Sequence, residues 1–505
     1  MRLHSVGGAV TAPFAVAPSG FPWLATAGLM VVAAALRLYG LTATSLWIDE
    51  GFSLKFAEPG ASFWTLLFGD IHPPLYYALL AGWLVLFGVS EWTIRSLSVV
   101  FAVATIPLVV AIGRRFGDDR RALVSGLLFA LFPLHIQYSG EGRMYALLVF
   151  IAAVAMLGAV EFARFGQDRR RATRGALLFA FAATGAVFTQ MMGALLIPCC
   201  GLSMLIGWAV AGFPAVALRP LLVGCAALAA GLLAWAPMAL RLVANAAVHG
   251  DWWFPQPSLR VVAEVIGSLL GQKVSVLFGI PGGAAAAAAV AGVAIVGVWT
   301  LRKDLLALAF RVCCLVLPFL LSLTASVLFR PVFILRTHLW TLIPLAIVLA
   351  HGVFGVAGRL RIPVAAGLGA VLLVGLYGHH VVWQRPDWRG LRSHLSARLG
   401  EDDLVLAPAA LGVPELIHFY SPTAVPRARL IGNEVALRGA VAEATGRAVW
   451  LVSAPWHDRV PRAEVVRALG ASHVVVETVP FHRIDLLRLQ PAPGPAQSRE
   501  AAGGG

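Results

Sequence analysis

The stretch that decides the fold is "MYALLVFIAAVAMLGAVEF", residues 144–162, which contains a single charged residue, Glu161. About 20 consecutive apolar residues in a helix span the hydrocarbon core of a bilayer. The flanks are basic, because Arg143 precedes the stretch and "RFGQDRRRATR" (164–174) follows it. An apolar block of this length between charged ends predicts a transmembrane helix.

The whole chain repeats this pattern. Its 505 residues are 59% hydrophobic and 13% charged, with a mean hydropathy of +0.82, whereas soluble domains are about 25% charged. The net charge of +14 does not indicate a nucleic-acid partner, because the arginines cluster in short loops between apolar blocks. The five cysteines lie in apolar blocks without CxxC spacing, which favours buried side chains over a metal site or disulfide. We predict an all-α polytopic membrane protein.

We predict eleven transmembrane spans from the apolar blocks, near 23–41, 95–113, 121–137, 144–162, 175–190, 191–212, 220–241, 275–300, 304–328, 332–352 and 362–382. A further block, "PPLYYALLAGWLVLFG" (73–88), has only 16 residues. We predict that it is re-entrant or lies on the membrane surface, because a crossing there would invert every later loop.

The basic loops set the orientation. "GRRFGDDRR" (113–121), residues 164–174, Arg219, "LRKD" (301–304) and "GRLR" (358–361) alternate with loops that hold far fewer Lys and Arg. Positive residues accumulate on the cytoplasmic side. We therefore predict a multi-pass protein of the inner (plasma) membrane with a cytoplasmic N-terminus. The loop 42–94 and everything after residue 382 are then extracytoplasmic.

The chain changes character after residue 382. Segments 402–409, 447–454, 473–479 and 484–489 are typical of strands, and 387–400 and 461–470 of amphipathic helices. We predict a transmembrane domain over 1–382, a small extracytoplasmic α/β domain over 383–490 and a disordered tail over 491–505, "PAPGPAQSREAAGGG".

Polar residues collect at the predicted outer ends of the spans. The stretch "SLWIDEGF" (45–52) places Asp49 and Glu50 just past the first span. Adjacent carboxylates repel, which raises one pKa and favours a general base or a cation site. The others are Asp70 and His72 in "GDIHPPLYY", Tyr138, Glu141, Arg143 and Tyr145 in "QYSGEGRMYALL" (137–148), and Arg330, Arg336 and His338 in "FRPVFILRTHLW" (329–340).

Each position has a functional and a purely structural interpretation. On one helix, Tyr138, Glu141 and Tyr145 would share a face. A charge at the depth of Arg336 usually faces a protein cavity, although Arg143 and Arg336 also have the length to snorkel, and His72 suits a helix cap. We expect Lys55, Glu58, Glu91 and Arg260 to be solvated loop charges.

Six segments carry a resemblance to a known family: "WIDEGFSL", "DIHPPLYYALL", "SEWTIRSLS" (90–98), "LHIQYSGEGRMYALL", "RPVFILRTHL" and "RPDWRGLRSHL" (385–395). In this order they resemble the bacterial branch of the GT-C fold glycosyltransferases. That branch is family 39-like and is similar to protein O-mannosyltransferases and to lipid A aminoarabinose and galacturonate transferases. The resemblance implies the GT-C fold and a polyprenyl-phosphate-linked sugar as donor. Asp49 matches the family's catalytic aspartate, whereas Gly140, Gly142 and Thr337 depart from its pattern.

Sugar transfer needs a base for the acceptor hydroxyl and cations for the departing phosphate. We assign catalysis to Asp49 with Glu50 in support. Donor-phosphate binding is assigned to Arg143, Arg336, His72 and His338, and supporting roles to Tyr138, Glu141, Tyr145 and Arg95.

The expected partners are membrane lipid, a polyprenyl-phosphate sugar and a lipid, glycan or protein acceptor. We expect no cofactor; two carboxylates suit a divalent ion, but a full ligand set is missing from the sequence. The alternatives are a multi-span lipid or sugar transporter or flippase, and a non-catalytic scaffold or sensor.

Overall fold

The computed structural model describes residues 20–58, 72–248, 255–382, 385–408, 412–455 and 458–492. The chain divides into two compact units. The helical unit comprises Met1–Leu36, Val100–Gln137 and Tyr145–His379, and the mixed unit comprises Arg37–Val99, Tyr138–Met144 and His380–Gly505. Asp70 and residues 493–505 of the predicted tail lie outside the described residues.

Long apolar helices dominate the described part of the chain. Nine are long and apolar enough to cross a membrane: Glu91–Gly113, Tyr145–Arg164, Arg169–Thr189, Met191–Val210, Ala215–Arg241, Ser275–Thr300, Leu305–Leu328, Leu335–Gly355 and Gly358–Val382. The bent pair Asp119–Leu131 and Pro133–Ser139 gives a tenth, and Trp23–Leu38 is a shorter apolar helix. Every predicted span coincides with one of these helices, so the predicted polytopic architecture is confirmed: the chain is a multi-pass membrane protein.

The bent pair of helices ends within the predicted helical face of Tyr138, Glu141 and Tyr145. Its two helices meet at 58° where Phe132 is extended, with φ −60° and ψ 111°, because proline disfavours the α conformation in the residue before it. The second helix ends at Ser139 and the next begins at Tyr145. The prediction of one continuous helix face through residues 138–145 is therefore wrong.

The basic loops of the helical unit contact one another. Arg115 pairs with Glu161, and an Arg164 Nη lies 2.5 Å from an Asp304 carboxylate oxygen. His351 Nε2 contacts the Phe116 carbonyl oxygen at 3.1 Å. These contacts bring the loops around residues 113–121, 164–174 and 301–304 to the same end of the helical unit, as their predicted alternation requires.

The segment predicted not to cross forms the helix Leu75–Phe87. Thirteen residues at 1.5 Å each give about 20 Å, which is less than the roughly 30 Å hydrocarbon core. Tyr76, Tyr77 and Leu80 are buried, whereas Val85 and Leu86 are largely exposed. The helix therefore packs one face and presents an apolar surface on the other.

The mixed unit contains a five-stranded sheet in the order β2-β1-β3-β5-β4. The strands are β1 Leu404–Ala407, β2 Ala428–Leu430, β3 Val449–Ser453, β4 His473–Phe481 and β5 Ile484–Pro491. β1 is parallel to β2 and β3, while β5 is antiparallel to β3 and β4.

Helices accompany the sheet: Trp388–Arg398, Val413–Tyr420, Glu434–Ala444 and Arg462–Leu469. The buried faces of β1, β3 and β5 pack with the helices Glu434–Ala444 and Arg462–Leu469 into one apolar core. The predicted α/β character is confirmed. Sequence analysis missed β2 and the helices Val413–Tyr420 and Glu434–Ala444.

Candidate active site

The adjacent carboxylates lie in the first turn of the helix Ile48–Ala57. The backbone N–H of Trp47, which precedes the helix, donates to Glu50 Oε2 at 3.1 Å. An acidic side chain that satisfies a free N–H at a helix start also interacts favourably with the positive end of the helix dipole. This local geometry explains why Asp49 and Glu50 follow the first apolar block.

Glu50 is the centre of a buried charge cluster. Arg95 binds its carboxylate with two bonds, Nε to Oε1 at 2.8 Å and Nη2 to Oε2 at 2.9 Å. Arg385 donates from Nη1 to Oε2 at 2.7 Å, and Gly142 donates from its backbone N–H to Oε1 at 2.9 Å. Arg385 Nη2 also lies 3.4 Å from Glu141 Oε1. We call Glu50, Arg95, Glu141 and Arg385 the Glu50 cluster.

Arg95 connects this cluster to the preceding chain. Its Nη1 donates to the carbonyl oxygens of Leu41 and Thr44 at 2.8 and 2.9 Å, and its Nη2 donates to the Ser45 carbonyl oxygen at 2.9 Å. Together with its two bonds to Glu50, these contacts use all five guanidinium N–H groups. Arg95 therefore fixes the conformation of the segment that leads into the Ile48–Ala57 helix.

The environment of Glu50 keeps its carboxylate ionised, and its supporting role in catalysis stays a prediction. Burial alone would raise the pKa of Glu50, but the charges of Arg95 and Arg385 outweigh it and lower the pKa to about 2. The carboxylate is fully buried and accepts hydrogen bonds from Trp47, Arg95, Gly142 and Arg385. Glu50 thus holds the helix in place and has no exposed oxygen with which to assist a reaction directly.

Asp49 has a different environment from its neighbour. Its side chain is only half-buried. Its backbone carbonyl oxygen accepts from Arg143 Nη1 at 3.0 Å and from Ser53 Oγ at 3.4 Å. Of the two adjacent acidic residues, Asp49 is the half-buried one and Glu50 the fully buried one.

Arg143 lies beside Asp49 and is itself 2% exposed. Besides the Asp49 carbonyl, its Nη1 contacts Ser53 Oγ at 3.4 Å and Tyr77 Oη at 3.3 Å. These contacts join the helices Ile48–Ala57 and Leu75–Phe87.

Close packing against Ile94 explains why position 142 of this motif is a glycine. A Cβ at Gly142 would lie 2.4 Å from Ile94 Cγ2 and 3.1 Å from the Ile94 carbonyl oxygen. Only glycine lets the backbone come this close, and that approach places the Gly142 N–H against Glu50. Nearby Glu141 is buried and Tyr138 is half-buried.

A second charge cluster surrounds Glu91. Arg389 Nε donates to Glu91 Oε1 at 3.0 Å, and Tyr420 donates its hydroxyl proton to the same oxygen. The Tyr420 oxygen also accepts from the Leu46 N–H at 2.7 Å. Burial, followed by the Glu91 contact, raises the pKa of Tyr420. Glu91 is 12% exposed, so its predicted solvation is wrong, whereas Lys55, Glu58 and Arg260 are 35%, 52% and 88% exposed, as predicted.

Two residues assigned to donor-phosphate binding, Arg336 and His72, belong to different units. In the helical unit, the Arg336 guanidinium lies 5.8 Å from the Tyr145 ring centroid, a cation–π distance. His72 belongs to the mixed unit and is half-buried.

His338 is fully buried in the helical unit. Its Nε2 contacts Ser322 Oγ at 2.7 Å, its Nδ1 contacts the Ile334 carbonyl oxygen at 2.8 Å, and its ring stacks on Phe319 at 4.5 Å. Both ring nitrogens are engaged in contacts within the helical unit, and the assignment of His338 to phosphate binding stays a prediction.

Sequence analysis also missed residues. The segment "RPDWRGLRSHL" contains Arg385, but the sequence predicted no role for Arg385, Arg389 or Tyr420. The available signal was an arginine between polar loop residues directly after the last apolar block.

Across the described ranges, no group of three His, Cys, Asp or Glu side chains is arranged to hold a metal ion.

Comparisons with known proteins agree with this architecture. Residues 71–238 match the sequence model of the family described as dolichyl-phosphate-mannose-protein mannosyltransferase. Crystalline ArnT from Cupriavidus metallidurans bound to undecaprenyl phosphate is 14% identical, with a TM-score of 0.60 over 93% of this chain and 98% of that one. An Archaeoglobus fulgidus oligosaccharyltransferase is 12% identical, with a TM-score of 0.54 over 91% of this chain and 72% of that one. No curated protein sequence matches this chain.

These similarities settle the fold. The chain has the GT-C fold, and the predicted resemblance to GT-C glycosyltransferases related to family 39 is confirmed.

Proposed function

We propose that this protein is an integral-membrane glycosyltransferase that moves a sugar from a polyprenyl-phosphate donor to a lipid, glycan or protein acceptor. The observation that carries the proposal is the contrast within one helical turn. Glu50 is buried and fully hydrogen-bonded, whereas its neighbour Asp49 is only half-buried and its backbone carbonyl oxygen is held by Arg143. The match to a mannosyltransferase family and the fold of a protein solved with undecaprenyl phosphate support this choice of donor.

The proposed reaction uses Asp49 as general base. The Asp49 carboxylate accepts the proton of the acceptor hydroxyl while that oxygen attacks the anomeric carbon of the donor sugar. The bond between the anomeric carbon and the phosphate oxygen breaks, and polyprenyl phosphate leaves with the electron pair. A positioned base of this kind contributes typically 10²–10⁴-fold to the rate.

Charge on the leaving phosphate needs cations. We assign this role to Arg143 and Arg336, with His72 in support. Arginine suits phosphate because its planar guanidinium presents several N–H groups to two oxygens at once. Arg143 already contacts the Asp49 backbone at 3.0 Å, so a phosphate that binds it would lie near the proposed base.

We also propose the orientation. The basic loops of the helical unit contact one another, which fits a cytoplasmic end under the positive-inside rule. The N-terminus is then cytoplasmic, and the loop 42–94 and the C-terminal α/β domain are extracytoplasmic, in the inner (plasma) membrane. Thr445 and Gln167 are exposed and lie on the two predicted sides.

Single-cysteine labelling tests this orientation. In a Cys225→Ala background, which removes the exposed native thiol, an impermeant thiol reagent should label Thr445→Cys in intact spheroplasts. Gln167→Cys should label only after lysis. The opposite pattern would overturn the orientation.

The transfer experiment tests the function itself. Purified wild-type protein in lipid nanodiscs is mixed with a panel of labelled prenyl-phosphate sugars and membrane extracts as acceptor. We expect transfer of label from one donor class and release of prenyl phosphate. Vesicles that contain a fluorescent prenyl-phosphate lipid provide the comparison. Translocation of that lipid without any transfer would replace the proposal with the flippase alternative.

A further inference from the structure

Arg385 has no role in the proposed reaction, yet it is buried and pairs with Glu50. It lies after the last apolar helix, shortly before the helix Trp388–Arg398. Arg385 is 8% exposed, and its guanidinium contacts three residues of the mixed unit: Glu50 at 2.7 Å, Glu141 at 3.4 Å and the Trp47 ring at 5.8 Å from the centroid.

Two of these contacts flank the proposed base. Trp47 directly precedes the helix Ile48–Ala57, and Glu50 directly follows Asp49. Arg385 therefore contacts the chain on both sides of Asp49. Arg95 binds the same carboxylate, but its other bonds go to the carbonyl oxygens of Leu41, Thr44 and Ser45, further from Asp49.

We propose that Arg385 is a positioning residue that fixes the Asp49 carboxylate for catalysis by holding Trp47 and Glu50 on either side of it. The inference rests on the proposed glycosyl transfer. Arg385 acts through its neighbours, since its guanidinium contacts Glu50, Glu141 and Trp47. Geometry of this kind matters because a displacement of about 1 Å in a catalytic group can reduce the rate about 10²-fold.

The contacts of Arg385 with Glu50 and Glu141 determine which substitutions test its role. Arg385→Gln removes the charge and the ion pair with Glu50. Arg385→Lys keeps a charge but loses the planar group that reaches Glu50 and Glu141 at once. We expect kcat to fall about 10²-fold in Arg385→Gln and less in Arg385→Lys, while KM for the sugar donor stays unchanged because Arg385 does not bind it.

Arg389 supplies a matched control. It belongs to the same segment, pairs with Glu91 and donates to the Thr42 carbonyl oxygen at 2.7 Å. It therefore anchors the same segment, but its ion pair is with Glu91 and not with Glu50. If Arg385 only attached the C-terminal segment, Arg389→Gln would reduce kcat equally.

The pH profile separates positioning from general anchoring. The charged and titratable groups around Glu50 are Arg95 from the helix Glu91–Gly113, Arg385, Glu141, Tyr76 and, beside Asp49, Arg143. Loss of Arg385 removes one of the two cations that lower the pKa of Glu50. The acid-induced decrease in melting temperature should therefore begin at higher pH in Arg385→Gln and stay at its wild-type position in Arg389→Gln.

A measurement without turnover completes the test. In the Cys225→Ala background, a nitroxide label on Asp49→Cys reports local mobility by electron paramagnetic resonance. Adding Arg385→Gln should make this label more mobile, and adding Arg389→Gln should not. This readout does not require sugar transfer.

The outcomes are distinct. A wild-type protein that transfers no sugar refutes the proposed function, while the label at position 49 still decides the role of Arg385. Wild-type kcat in Arg385→Gln, equal losses in Arg385→Gln and Arg389→Gln, or unchanged label mobility would each overturn the inference. A selective loss of kcat, with the shifted acid-induced melting and the mobile label, supports it.

Discussion

The Glu50 cluster and the basic loops of the helical unit use charge in different ways. Glu50 and Arg95 are 0% and 1% exposed and are joined by two hydrogen bonds of 2.8–2.9 Å. In the loop 164–174, Arg171 and Asp168 are 57% and 53% exposed and lie 3.7 Å apart. Exposed pairs contribute little to stability, whereas a buried charge that loses its partner is costly. The exposed loop pairs therefore contribute little to stability, and what counts for the loops is the sign and number of their charges. In the Glu50 cluster, stability depends on the geometry of the charged groups.

The largest expected effect on thermal stability comes from a substitution in the Glu50 cluster. Glu50→Gln leaves Arg95 and Arg385 buried without their shared counter-charge, and breaking a buried pair costs about 3–5 kcal/mol. We expect a large drop in thermal stability of the purified protein. Asp49→Asn, one residue away and half-buried, is the matched control and should melt like the wild type. Equal melting temperatures for Glu50→Gln and wild type would contradict the buried cluster.

Acid should weaken the cluster in a predictable window. The pKa of Glu50 is lowered in the folded protein from its ordinary 4.5 to about 2, so its stabilisation is complete above pH 4.5 and decreases as the pH falls towards 2. Wild-type melting temperature should decrease between about pH 5 and pH 3. Glu50→Gln should lack this component. A slope that is identical in both proteins would assign acid sensitivity to other groups.

The smallest expected effect is in the loops. Arg171→Gln breaks an exposed pair with Asp168, and such pairs are worth less than about 1 kcal/mol. We expect an unchanged melting temperature within error. A loss comparable with that of Glu50→Gln would erase the distinction between the two regions.

The membrane spans were predictable from the sequence, whereas the short strand β2 was not. Membrane spans follow from long apolar blocks, because a bilayer requires them whatever the tertiary contacts. Every predicted span coincides with a helix. The three-residue strand β2 was missed because it is short and partly exposed, so it lacks a hydrophobic pattern of its own.

The site was predictable by residue type but not by environment. The pair Asp49 and Glu50 was found, but which carboxylate would be buried depends on Arg95, 45 positions from Glu50, and on Arg385, 335 positions away. The burial of Glu91 likewise depends on Arg389 and Tyr420. Pairings over such separations leave no local periodicity, so sequence analysis treated Glu91 as solvated and gave Arg385 no role.

The central claim is that Asp49 is the base and Glu50 its buried support. The most direct measurement is transfer of labelled sugar from a prenyl-phosphate donor by purified Asp49→Asn, with donor binding and melting temperature determined on the same preparation. Asparagine keeps the size of the side chain but cannot accept a proton at neutral pH. We predict wild-type folding and donor binding with turnover at least about 10²-fold lower. A folded Asp49→Asn protein with near wild-type turnover would contradict the account.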